Sequence, residues 1–97
     1  MSDTSSPKAG QAGTVESMDC LVTVSESPNG RVIELAGASA SRFKDAMEAK
    51  INSVLSELEK SFGEKTRGVK VSVQDNGALD LILGARVEAA CRRFFGR

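Results

Sequence analysis

The run Val69-Lys70-Val71-Ser72-Val73-Gln74, closed by Asp75-Asn76-Gly77, decides the fold class. Valines alternate with polar residues at a strict period of two, so one side of an extended strand is apolar and the other faces solvent. Asp-Asn-Gly then breaks the strand. Downstream, from about Ala78 to Phe95, the apolar period lengthens to that of a helix: Leu79, Ile82, Leu83, Val87, Ala90 and Phe94 share one stripe. Asp80 in its first turn and Arg92 and Arg93 in its last suit the helix dipole. Upstream, a short charged link, Glu64 to Arg67, leads back to a longer helical stretch. There Phe43, Met47, Ile51, Val54, Leu55, Leu58 and Phe62 recur every three or four residues. Ser39 or Ser41 can accept from its first amides and Gly63 can stop it in a left-handed conformation, giving a helix of about 22 residues.

Two further strands precede that helix. Met18, Cys20, Val22 and Val24 fall on one side of the first, with Leu21 pointing the other way, and Ile33 and Leu35 alternate with Val32 and Glu34 in the second. Ser27-Pro28-Asn29-Gly30 between them is a type I turn signal, so a hairpin is expected. The order is strand, strand, helix, strand, helix. Three one-faced strands and two one-faced helices are satisfied by an α+β two-layer sandwich, both helices on one side of a three-stranded, mainly antiparallel sheet. A helical crossover returns the chain in its original direction, so the third strand should run parallel to the second. Placed beside the first, it gives the order second, first, third. Residues 1–12 are Ser, Asp, Gly, Pro and Lys with almost nothing to bury and read as a flexible N-terminal tail; residues 13–97 form the folded domain.

Composition narrows the function. The 97 residues carry 13 Lys plus Arg against 13 Asp plus Glu and contain no His. Imidazole general bases, serine-histidine triads and histidine metal ligands are therefore excluded. Zero net charge and strands without aromatics argue against a nucleic-acid binder, and no apolar run is long enough to span a bilayer. Cys20 and Cys91 are too few for a disulfide framework or a closed zinc site and read as small core residues of a cytoplasmic protein. Asp45, Glu48, Glu57 and Glu59 lie on the polar face of the long helix, and Arg86 lies beside the apolar stripe of the last one, within reach of Asp80 or a partner. No catalytic constellation and no metal set emerge. Ser17, between carboxylates at the junction of tail and first strand, is a solvent-facing hydroxyl.

Ala12-Gly13-Thr14-Val15-Glu16-Ser17-Met18-Asp19, followed near the end by Gly77-Ala78-Leu79-Asp80-Leu81-Ile82-Leu83-Gly84-Ala85-Arg86-Val87-Glu88-Ala89, closely resembles the citrate lyase acyl carrier family, the gamma subunit of that complex. Arg67-Gly68-Val69 fits as well, and the resemblance covers about residues 9 to 94. It implies an acyl carrier domain over 13–97 that is not itself an enzyme. It also implies that Ser17 bears 2'-(5''-phosphoribosyl)-3'-dephospho-coenzyme A through a phosphodiester. The arm would carry acetyl and citryl thioesters for citrate cleavage to acetate and oxaloacetate. The implied partners are the alpha (transferase) and beta (lyase) subunits and a prosthetic-group transferase, with no nucleic acid or membrane. The family commonly has Gly where this chain has Met18, and a larger residue where it has Gly84. The carrier subunit of malonate decarboxylase is the alternative, and a small interaction module a third.

Overall fold

The computed structural model describes residues 9–37 and 39–96. The chain runs β1 (Ala9–Gly13), β2 (Asp19–Glu26), β3 (Val32–Gly37), α1 (Lys44–Phe62), a 3₁₀ turn (Gly63–Arg67), β4 (Val69–Asn76) and α2 (Asp80–Phe95). The α+β class and both helices are as expected, as is the placing of the third expected strand beside the first and parallel to the second; the number and order of the strands are not. The sheet has four strands in the order β1-β2-β4-β3.

Two departures have physical causes. The Ser27–Gly30 turn forms, with the Gly30 N–H donating to the Ser27 carbonyl at 3.2 Å, yet the strands on either side of it do not pair. Instead β4 lies between them, antiparallel to β2 and parallel to β3. The parallel pairing is the one that a helical crossover demands. β4 is the strand with the cleanest alternation, and in this central place both of its edges are hydrogen-bonded; Val69, Val71, Val73 and Asp75 are all buried. The second departure is β1, whose residues 9–12 read from composition as a tail. It pairs antiparallel with β2, Ala9 opposite Ser25 through Gly13 opposite Leu21. The remainder of that expected tail, residues 1–8, lies outside the described residues.

Gly10 explains how so small a strand holds its place. A Cβ built there would sit 2.1 Å from the Ala90 carbonyl oxygen and 2.6 Å from the Phe94 amide nitrogen. Only a residue without a side chain lets α2 come that close. One face of the sheet joins both helices in a single core, in which Ile51 and Leu55 of α1 are the largest fully enclosed side chains. Each stabilises the fold by roughly 2 kcal/mol. The long helix stops where expected, at Gly63 with φ of 75°. Its start differs: Phe43 stands at the N-cap, half-exposed, and neither Ser39 nor Ser41 caps it. At the far end of α2 it is Phe95 that closes the core, its ring 5.1 Å from that of Phe62, while Phe94 is only partly buried.

Candidate functional site

Between β1 and β2 the chain makes one tight turn, and Ser17 stands at its corner. The Asp19 N–H donates to the Glu16 carbonyl at 3.2 Å, making Ser17 and Met18 the two central residues. Met18 has φ of 64°, the left-handed conformation that such turns usually give to glycine. It is therefore not the first inward residue of the strand, as its register with Cys20 suggested, but is exposed. β2 begins one residue later.

The turn is held from both sides. Thr14 Oγ1 accepts from the Glu16 N–H at 3.1 Å and donates to Asp19 Oδ2 at 2.9 Å. Asn76, at the end of β4, takes the Met18 N–H on its carbonyl at 2.7 Å and donates its side-chain Nδ2 to the Val15 carbonyl at 3.0 Å. Arg86 of α2 grips Asp19 from the helix side, and not Asp80 as its position in α2 had suggested. This guanidinium, the Cys20 N–H and the Thr14 hydroxyl together lower the Asp19 carboxyl to about 2. Every residue around Ser17 is thus tied down, while the Ser17 side chain is exposed and forms no hydrogen bond among the described residues.

Beneath this end lies Asp75, the buried penultimate residue of β4, opposite Cys20 of β2 and Gly37 of β3. Its Oδ2 accepts from the N–H groups of Ser39 and Gly77, each at 3.2 Å, and its Oδ1 from Ala78 at 3.0 Å. One carboxylate therefore anchors the β3–α1 connection and the entry to α2. Sequence reasoning took Asp75, Asn76 and Gly77 for a strand breaker and missed both anchoring roles. The available signal was that three residues with strong turn preference followed a strand without a gap. Asp19 and Arg86 did lie inside the quoted motifs, without any indication that they met.

The other candidates stay apart from this end or are inert. Cys20 and Cys91 are both enclosed, and burial pushes their thiols up to about 11 and about 12. Among the described residues no group of His, Cys, Asp or Glu could hold a metal ion, and no helix is long and apolar enough to cross a membrane.

This arrangement is a stiff two-layer body that presents a hydroxyl at the corner of a clamped turn, and comparison with known proteins places it among acyl carriers. The acyl carrier family described as malonate decarboxylase delta subunit (MdcD) matches residues 7–94. A citrate lyase acyl carrier protein of Leuconostoc citreum is 36% identical over 86 residues, covering 89% of this chain and 82% of that one. Another of Haemophilus influenzae is 37% identical over 86 residues, covering 89% and 83%. The chain belongs to the citrate lyase acyl carrier protein family. A solved structure from Thermus thermophilus shares the fold, with a TM-score of 0.54 at 14% identity; the match covers 91% of this chain and 15% of that larger one.

Proposed function

We propose that the protein is the acyl carrier subunit of a citrate lyase, with 2'-(5''-phosphoribosyl)-3'-dephospho-coenzyme A joined to Ser17 Oγ. The arm ends in a thiol and supplies the thioester chemistry for the acetyl and citryl loads. What the chain contributes is the tether point. Ser17 Oγ is accessible and unengaged, so it can bond to the phosphorus of a phosphoanhydride-activated precursor of the arm while the anhydride P–O bond breaks, the outer phosphate portion leaves and the hydroxyl proton passes to a base. No described side chain hydrogen-bonds that hydroxyl, and on this reading the modifying enzyme supplies the base for its proton. The clamped turn fixes where the arm starts, and tethering then replaces diffusion between catalytic pockets by a high effective concentration. On this reading the chain performs no chemistry itself in the alpha (transferase) and beta (lyase) assembly. It works in the cytoplasm.

The observation that carries the reading is the exposure of Ser17 at the corner of a turn whose other members are all hydrogen-bonded. Co-expression with the prosthetic-group transferase and its precursor should add the mass of the arm to the intact protein, and Ser17→Ala should abolish the addition. An unchanged wild-type mass, with the transferase active on a known carrier, refutes the proposal. The family description favours one second reading, the carrier of a malonate decarboxylase. The acyl load recovered from the arm separates them: acetyl and citryl for the first, acetyl and malonyl for the second.

A further inference from the structure

Six large apolar side chains are exposed on the described surface: Val15, Met18, Val32, Phe43, Leu79 and Leu81. Four of them, Val15, Met18, Leu79 and Leu81, belong to two short segments, 15–19 and 77–81, that meet where Gly77 abuts Met18 and Asp19, next to Ser17. The contact between those segments is direct. Gly77 bridges to Asp19, and a Cβ built on Gly77 would lie 3.8 Å from Met18 Cα. Leu79 and Leu81 stand at the N-cap and in the first turn of α2, exposed by 63% and 78%.

Two of the four occupy positions whose backbone prefers another residue. Met18 sits at positive φ, where glycine is unstrained. Leu79 is the N-cap of α2 and makes no capping bond, at a position where Ser, Thr, Asp or Asn would satisfy an orphan amide. Neither gains burial in return. Local rules broken without a structural gain mark a surface kept for something outside the fold. Among the described residues the one cation at this rim, Arg86, is taken up by Asp19, which leaves two acidic groups. Glu16 and Asp80 are both exposed, and neither forms an ion pair among the described residues.

We infer that Val15, Met18, Leu79 and Leu81, flanked by Glu16 and Asp80, form the docking surface for the enzyme that loads Ser17, a partner with an apolar rim bearing cationic groups. The inference rests on the carrier reading above. Its occupant follows from reach. The subunits that later handle the acyl group reach it at the far end of the arm, so their contacts with the chain need not cover residue 17. The loading enzyme must bring its phosphorus to bonding distance of Ser17 Oγ and so must cover residues 15–18. Because Gly77 abuts Met18, it covers the start of α2 as well. The acidic pair calls for cationic groups on that enzyme and speeds the encounter at low salt.

The test is loading kinetics with purified prosthetic-group transferase and its precursor, read by intact mass. Leu79→Ser with Leu81→Ser should raise KM for the carrier at least tenfold and change kcat little. Glu16→Lys with Asp80→Lys should raise it further and remove its salt dependence. Val32→Ser, at the opposite end of the sheet, is the control and should match the wild type. Thermal melting of each variant separates lost docking from lost fold. Unchanged KM in the folded double leucine variant overturns the inference while Ser17 still loads; failure of the wild type to load strikes the carrier reading itself. A wild-type dimer that Leu81→Ser makes monomeric would show that a second copy covers the surface, and would also overturn it.

Discussion

Arg86 holds Asp19 by two parallel hydrogen bonds, Nε to Oδ1 at 3.1 Å and Nη2 to Oδ2 at 3.2 Å, across 67 positions of sequence. The fork ties the middle of α2 to the first residue of β2, next to the Ser17 turn. A bidentate guanidinium-carboxylate pair fixes direction as well as distance, which a lysine in the same place would not do.

The Asp19 carboxyl is lowered from 3.8 to about 2, so its pairing stabilises the fold at every pH above its unfolded value and is lost as pH falls through about 2. Asp19→Asn should lower the thermal midpoint at neutral pH, and the gap from wild type should narrow from about pH 4 downward. Melting curves across that range check this; a gap that stays constant to pH 2 contradicts it.

Met18→Gly should stabilise the protein by about 1 kcal/mol, because glycine adopts the left-handed turn without the Cβ clash and the exposed methionine loses little packing. The same variant should load more slowly if the apolar rim docks the modifying enzyme. Chemical denaturation and intact-mass kinetics on one preparation measure both effects. A destabilised Met18→Gly would mean that the side chain packs more than its exposure indicates.

Gly10→Ala should cost about 2 kcal/mol, since the added methyl meets backbone of α2 and not a side chain that can turn aside. For a domain of this size that lowers the thermal midpoint by roughly 10 °C. Gly84→Ala is the contrast. There the nearest atom is the Lys50 Cε, at 2.7 Å, on the flexible end of a side chain, and replacing a mid-helix glycine gains up to about 1 kcal/mol. Equal midpoints for the two variants would refute the close approach of β1 to α2.

Neither cysteine should react with iodoacetamide in the folded protein at pH 8, because both are enclosed and burial holds the thiols protonated. Both should react after denaturation. Mass spectrometry of each state decides the matter, and native labelling of Cys91 would show that α2 opens readily.

The alternations in β2 and β4 and the stripes of the two helices are driven by burial on one face, so they could be read directly from the sequence. Strand order could not. Nothing in Ser27–Gly30 tells a hairpin from a turn that leaves room for another strand, since the turn residues are the same and the filler arrives only after α1. β1 was hidden for an instructive reason: Ala9, Gly10 and Ala12 look like tail because they are small, and smallness is what admits α2. At the candidate site Ser17 was singled out through resemblance to a family and not through chemistry, because an exposed hydroxyl has no distinguishing pattern. Met18 kept the strand's period while its backbone left the strand. Asp75 and Asn76 resembled turn residues because anchoring a turn uses the same hydrogen-bonding groups as making one.

With β4 seated between β2 and β3, the centre of the sheet is the last of its strands to leave the ribosome. Until then the two flanking strands have no common neighbour, and their open edges are exposed to whatever else is nearby. Such a chain gathers itself late and largely at once, through contacts distant in sequence, so its assembly should be slower than its size suggests and sensitive to any change that delays the middle strand.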